Sequence, residues 1–337
     1  MAATEPLGET VVVWFDAASG CWTAEPPQGE GPGHAPGGGL KRRVFPHTLY
    51  ESGRHAVAAL RTAWDEFARP GDTVVLHTSY LAPAIGDRTA VVDVYDLVWR
   101  GHEIEARQGP AHLAPVRAGY AWNVRRKEEG ALRDARGLIV AGWDDFRRVG
   151  RLGPPARWCP TGMQASPALP RPDGDRLRIG FLGNFAHQAT VDSATALLRA
   201  PAARDASIEI VLGGWESDRV PALRDAPAVV LGPVASPDDF WREVDVAAIP
   251  VFSGTGIKCK IAEAMLAGRG VVTTPLGAAG FSPESRAGMA VVADLDALDG
   301  AACFRARDAT RDAGADAGQF TVEAAAATYR EALAALA

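Results

Sequence analysis

Short β-branched runs alternate with Ala- and Leu-rich helical stretches along most of the chain, and this alternation limits the fold more than any other feature. In the first half, strands are expected at Val11–Phe15, Thr73–His77, Ala90–Val94, Gly137–Ala141 and Ala156–Cys159, with helices at Arg54–Phe67 and Asn123–Asp134. In the second half, strands are expected at Arg178–Leu182, Ser207–Leu212, Val229–Leu231, Val246–Pro250, Gly270–Thr273 and Met289–Val292. Helices there fall at Thr190–Ala200, Pro237–Val244, Lys260–Ala267 and Val322–Leu336. Strands that alternate with helices build βαβ units and parallel sheets, which place ligands at the carboxyl ends of the strands.

The chain has 337 residues, enough for about two domains at ~150 residues each. The segment Ser166–Asp175 (SPALPRPDGD) is rich in proline and has no periodicity, so it reads as a linker. The strand in RIGFLGN follows at once. The expected organisation is a first α/β domain over residues 1–172, a second over 173–321 and a closing helix over 322–337. Tyr329, Leu333 and Leu336 fall on one face of that helix, and the stripe is expected to cross back onto the first domain. Glu25–Gly39, dense in Pro and Gly, is expected to be a mobile loop or insertion.

Several functions are excluded early. A net charge of -6 argues against a protein that mainly grips nucleic acid. No apolar run approaches the ~20 residues of a membrane span, and MAATEPLGET lacks the pattern of a secretory signal. A cytoplasmic protein is therefore expected. Cys21, Cys159, Cys259 and Cys303 lie far apart, as four free thiols would, and no metal site is expected.

The most informative stretch is Val246–Phe281 (VAAIPVFSGTGIKCKIAEAMLAGRGVVTTPLGAAGF). A strand leads into a Ser-Gly-Thr-Gly turn, then Lys258 and Lys260, then a helix carrying Glu263. Glycines let backbone N–H groups approach an anion, the helix start favours it, and lysines add charge suited to phosphate. Glu263, one turn inside, has the placement to accept hydrogen bonds from a ribose diol. A tight turn with solvated lysines and a capping glutamate has the same local pattern. GFLGNFA at Gly180–Ala186 lacks the G-x-G-x-x-G spacing and no acidic residue follows the next strand, so NAD is not expected.

The stretch resembles the donor-binding region of retaining GT-B glycosyltransferases of the family 4 type. The matching positions are Pro250, Gly254, Gly256, Lys258, Lys260, Glu263-Ala264-Met265, Ala267-Gly268, Val271-Val272, Thr273-Thr274, Gly277 and Gly280. RIGFLGNFAHQATVDSATALL, IEIVLGG and VVLGPVASPDDFWREVDVAAIP resemble that family's donor-domain strands in order and spacing. AVVDVYDLVWR and NVRRKEEGALRDARGLIVAGWDDFRRV resemble its acceptor domain, and WCPTGM the turn before its linker. The resemblance implies a GT-B fold: two Rossmann-like α/β domains facing across a cleft. It implies transfer of a sugar from a nucleotide-diphospho-sugar to an acceptor hydroxyl, with retention, without metal or cofactor. With no carboxylate nucleophile in view, the leaving phosphate would take the acceptor proton.

The resemblance assigns donor binding to Gly183, Asn184, His187, Val234, Gly254, Thr255, Gly256, Ile257 and Glu263, and to Gly53 of the first domain, where an ordinary helix N-terminus is the competing role and Gly37–Gly39 is a rival for the same contact. Lys258 and Lys260 would stabilise the leaving diphosphate, and Asp96, with Asp93, would stand near the acceptor hydroxyl. For Asp93 and Asp96, capping or a loop salt bridge is the competing role. His187 is equally a cleft residue or a solvated loop residue, and Arg125 and Glu128 are expected to be solvated ion pairs. The chain departs from the family at Thr255, where a first glutamate is common, at Tyr95, where a histidine is common, and at Thr190, where asparagine is common. No Arg and Lys pair follows Gly183. An epimerase or phosphorylase of the same fold, or a non-catalytic nucleotide-sugar binder, are the alternative readings. The Ala-, Arg-, Gly- and Asp-rich composition is that of GC-rich bacteria, an association with natural-product or envelope glycan work.

Overall fold

The computed structural model describes residues 60–336, except 165, 167, 225 and 314–316, together with two short strands before them. Those strands, β1 (Trp14–Asp16) and β2 (Cys21–Thr23), pair antiparallel. Gly53, the loop around it and Glu25–Gly39 lie outside the described residues.

The chain divides into two compact units. The first holds a four-stranded sheet in the order β3 (Val75–His77), β4 (Val91–Val94), β5 (Gly137–Val140), β6 (Ala156–Trp158). β3, β4 and β5 run parallel, with Val91 opposite Val75 and Gly137. β5 is buried at every position, as a strand covered on both faces must be. Helix α1 (Val98–Gln108) and the 20-residue α2 (Ala114–Arg133) follow β4 and pack on each other. Leu76, Leu81, Ile85, Val92, Leu97, Trp99, Leu132 and Leu138 fill this core.

The second unit is built on six parallel strands: β7 (Leu177–Leu182), β8 (Ile208–Gly213), β9 (Val229–Val230), β10 (Val246–Ile249), β11 (Gly270–Thr273) and β12 (Met289–Val291). Their order across the sheet is β12-β11-β10-β7-β8-β9. The chain starts in the middle, winds to one edge, returns and winds to the other. The direction reverses between β7 and β10, and in doubly wound sheets ligands bind at the carboxyl ends beside that reversal. Phe240 and Trp241 of the short helix Pro237–Trp241 are wholly buried. Strand glycines make room for the Phe240 ring: a Cβ on Gly180 would lie 2.9 Å from it and one on Gly213 2.7 Å.

Residues 158–172 group with the second unit, as do residues 141–145. The proline-rich stretch has no periodicity because its hydrogen bonds go elsewhere. Ala168 N donates to Leu266 O and Leu169 N to Ala267 O, carbonyls at the end of the helix Cys259–Leu266. Ser166 N donates to Asp238 Oδ1. The buried Arg269 guanidinium donates to Trp241 O (2.7 Å) and to Pro170 O. Burial, reinforced by the charge of Arg171, lowers the Arg269 pKa to about 10.

The closing helix spans Val322–Leu336. Its residues up to Thr328 belong to the second unit and those from Tyr329 to the first. Cys159 Sγ lies 3.6 Å from Ala325 O. Tyr329 Oη donates to Asp93 Oδ2 (3.3 Å), and Leu336 fills the space left by the absent side chain of Gly137.

Thr78, just after β3, has φ 96° and ψ 141°, a region that is in practice reserved for glycine. Its N–H donates to Asp93 O at 2.7 Å, which holds the turn. Such a residue stores about 1–3 kcal/mol, and glycine costs about 0.5–1 kcal/mol of unfolded-state entropy. Thr78→Gly is therefore expected to raise stability by about 1 kcal/mol. A urea midpoint equal to or below wild type would refute the strain.

Candidate functional site

The loops after β7, β8 and β9 enclose an open hollow of ≈ 270 Å³ in the second unit. Leu182 ends β7 and Gly183 and Asn184 follow it, Gly214 and Trp215 come from the second loop, and Pro233–Ser236 from the third, with Pro237 at the start of the next helix. Lys260 enters from the helix that follows β10, here α3 (Cys259–Leu266). The hollow thus sits beside the reversal of strand order.

Its floor is drawn tight by backbone. Gly183 N donates to Gly213 O (3.1 Å) and Gly214 N to Gly232 O (2.9 Å). Gly214 has φ +117°, and a Cβ there would lie 2.0 Å from Gly183 O. Glycine is the residue that fits. The wall at Ser236 is fixed by a capping box: Asp239 N donates to Ser236 Oγ (3.3 Å) and Ser236 N to Asp239 Oδ2 (3.1 Å). Trp215 stays 60% exposed, an aromatic face at the rim of a hollow whose lining is mostly apolar.

The Gly-Thr-Gly turn leads into α3. Gly254 and Gly256 take positive φ, 85° and 68°. Ile257 is buried, and Gly280 packs so closely that a Cβ on it would lie 2.5 Å from Ile257 Cα. The two lysines part company here. Lys258 Nζ folds back on its own loop, donating to Thr255 O (2.6 Å) and Gly256 O (3.4 Å). Lys260 Nζ donates to both Glu263 oxygens at 2.9 Å and is the lysine that lines the hollow. Glu263 is buried at 8% exposure, one turn inside α3. A cation and an anion at one rim suit a ligand that brings both phosphates and hydroxyls.

Of the residues expected at the site, Gly183, Asn184, Val234 and Lys260 gather around the hollow, and Glu263 joins them through its ion pair. Gly254, Thr255, Gly256 and Ile257 form the adjoining turn. His187 stands at the N-cap position of the helix Gln188–Arg199, its exposed side chain making no capping hydrogen bond, and it is not among the lining residues. Asp96 lies in the first unit after β4, where its carbonyl accepts from Ser79 Oγ (3.2 Å). Among the described residues no three or more His, Cys, Asp or Glu gather as a metal would require, and no helix is long and apolar enough to cross a membrane. Among the described residues, Cys159, Cys259 and Cys303 are in no disulfide.

Glu128 departs from expectation. It is not solvated but 2% exposed, and it caps α1 from the neighbouring helix. Oε1 accepts from Val98 N (3.1 Å), Oε2 from Trp99 N (3.0 Å), and Ser79 Oγ donates as well. Arg125 does pair, with Glu129 at 2.8 Å, and lies over the Trp99 ring. Trp215 carries no motif in the sequence. It emerges only when strands are laid side by side.

No curated protein matches the sequence. Residues 176–305 match the family model "Glycosyl transferases group 1". Among solved structures, the fold is similar to sucrose-phosphate synthase from Thermosynechococcus elongatus, with a TM-score of 0.59 and 17% identity over 85% of this chain and 79% of that one. It is similar to Anabaena Alr3699/HepE in complex with UDP, with a TM-score of 0.52 and 16% identity over 83% and 82%. It is also similar to an α,α-trehalose-phosphate synthase (UDP-forming) from Burkholderia xenovorans in complex with glucose-6-phosphate, with a TM-score of 0.55 and 13% identity over 85% and 78%. Residues 176–305 thus match the glycosyl transferases group 1 model, and the chain has the fold of the GT-B glycosyltransferases.

Proposed function

We propose that the second unit binds a nucleotide-diphospho-sugar and that the first unit supplies the acceptor hydroxyl. The observation that carries this reading is the meeting of Lys260, Glu263, Gly183 and Asn184 at the reversal of strand order. Lys260 and the backbone N–H groups of the Gly-Thr-Gly turn take the diphosphate, and Glu263 takes the ribose hydroxyls. Trp215 and Val234 offer apolar faces to the base. Catalysis is then positioning together with stabilisation of charge on the leaving diphosphate. Retention and independence of metal follow from the family resemblance, and a cytoplasmic enzyme of natural-product or envelope glycan synthesis fits the composition. Two structural neighbours, solved with UDP or named UDP-forming, favour a uridine nucleotide.

Calorimetry with UDP, GDP and ADP tests the reading. One of them is expected to bind, and Glu263→Gln to weaken that nucleoside diphosphate about tenfold (~1.4 kcal/mol). Loss of affinity only for the sugar conjugate would move Glu263 from the ribose to the sugar. If none of the three binds, the donor assignment is wrong.

A further inference from the structure

Arg269 stands just before β11, at the amino end of the second unit's sheet, whereas the hollow lies at the carboxyl ends of its strands. It is 1% exposed. Nε donates to Trp241 O (2.7 Å) and Nη2 to Pro170 O. Nη1 is buried, and among the described residues it has no hydrogen-bond partner. Trp241 is wholly buried as well, and its indole Nε1 is a second donor in the same position. Arg171, next to Pro170 in the chain, brings another positive charge close enough to act on Arg269. Asp245, just before β10, is the carboxylate whose charge reaches the guanidinium. Its Oδ2 already accepts from Arg178 N at 3.0 Å.

We propose that the second unit binds a chloride ion at Arg269 Nη1, where the Pro170–Arg171 stretch meets the end of the Pro237–Trp241 helix. The site is separate from the hollow and does not depend on the nucleotide reading.

The first argument is the charge balance. A guanidinium taken out of water is costly unless a counter-charge and a full set of hydrogen bonds replace the water. Two carbonyls supply part of this through their dipoles and leave Nη1 unmatched. Arg171 makes the balance worse, because it adds a like charge. Loss of the proton brings no relief at neutral pH, since burial and Arg171 lower the Arg269 pKa only to about 10. An anion at Nη1 accepts the remaining hydrogen bond and offsets both charges.

The second argument selects a halide. Phosphate and sulfate present four oxygens, each of which needs donors once it leaves water. On Arg269 and Trp241 the buried donors without a partner are Nη1 and Nε1. A monatomic ion is satisfied by fewer contacts and suits a nitrogen that protein atoms already cover.

The consequence is mechanical. Arg269 ties the proline-rich stretch to the Trp241 helix end, and its own N–H donates to Ala264 O (2.9 Å) in α3. An ion that makes the buried guanidinium less costly holds these three pieces together, so it stabilises the folded second unit by mass action.

Melting of the full chain in mixtures of sodium chloride and sodium gluconate at fixed total salt tests the site. Replacing gluconate with chloride is expected to raise Tm along a saturating curve, by about 3–6 °C at ten times the dissociation constant. Arg269→Met is expected to abolish the rise. That change also removes two hydrogen bonds to carbonyls, so Arg171→Gln is the gentler variant. It leaves Arg269 in place and should move the midpoint of the chloride curve upward about tenfold. Lys260→Ala, in the hollow, should keep the rise. Crystals grown in sodium bromide are expected to show anomalous density beside Arg269 Nη1. A Tm that is equal in the two salts, or that climbs alike in wild type, Arg269→Met and Arg171→Gln, would overturn the site. So would a rise that disappears in Lys260→Ala, which moves the ion to the hollow, or a water without anomalous signal at Nη1 in the bromide crystals.

Discussion

Lys260→Ala is expected to weaken nucleoside diphosphate binding about 10- to 100-fold. One charge-assisted contact contributes about 1.5–3 kcal/mol, and tenfold in affinity is about 1.4 kcal/mol. Two effects act in the same direction. The ammonium that lines the hollow is lost, and Glu263 is left as a buried carboxylate whose partner at 2.9 Å is gone. A bare carboxylate repels a diphosphate, so the deletion removes an attraction and uncovers a repulsion. Lys260→Arg keeps the charge and should recover much of the affinity. Lys258→Ala is the contrast. Its Nζ is spent on Thr255 O and Gly256 O, so its removal loosens the turn and should cost affinity less than threefold. Calorimetry of the three variants decides the matter. Equal losses for both alanine variants would show that Lys258 leaves its loop for the ligand. No loss in Lys260→Ala would place the diphosphate elsewhere.

Strands were the most legible part of the fold, because a parallel sheet buries both faces and its strands read as unbroken apolar runs. Val246–Ile249 and Gly270–Thr273 are such runs, and each turned up within a residue of its expected place. Helix α1 escaped notice. Its buried positions are Trp99, His102 and Ala106, so a histidine stands in the middle of the apolar stripe. Its N-cap residue Leu97 offers no side-chain hydrogen bond, and the cap comes from Glu128, 30 residues away in sequence from Val98. A cap borrowed from another helix leaves no local signal. The Gly-Thr-Gly turn and the helix after it were readable for the opposite reason, since glycines, lysines and glutamate follow one another along the chain. What the sequence could not show was which lysine serves the hollow, because that depends on Lys258 turning back on two carbonyls. Nor could it show the meeting of Asp93 with His77 and Tyr329, which lie on the neighbouring strand and the closing helix.

The borrowed cap also makes stability depend on pH in an unusual sense. Val98 and Trp99 begin α1, and their N–H groups have no partner within the helix. Glu128 meets both, at 3.1 and 3.0 Å, from a position that is 2% exposed. Burial outweighs these donors and raises its pKa from 4.5 to about 7. A carboxyl group with a raised folded-state pKa holds its proton in the folded chain when the unfolded chain has released it. Stability is therefore greatest below pH 4.5 as far as this group is concerned, falls as pH rises to about 7, and is level above that. The whole change is about 3 kcal/mol. Most carboxylates in proteins act in the opposite direction, so the contribution is best read locally, from amide exchange at Val98 and Trp99. Their opening free energies should drop by about 3 kcal/mol between pH 4.5 and 7.5. In Glu128→Gln the drop should vanish, because nothing titrates. The amide turns its NH2 toward one of the two backbone donors, so the variant should lie about 1–3 kcal/mol below wild type at acid pH and approach or pass it at pH 8. An opening free energy in wild type that is flat across this window, or a slope that survives in Glu128→Gln, would mean that Glu128 stays ionised throughout and that the two backbone N–H groups, with Ser79, are sufficient to hold a buried charge.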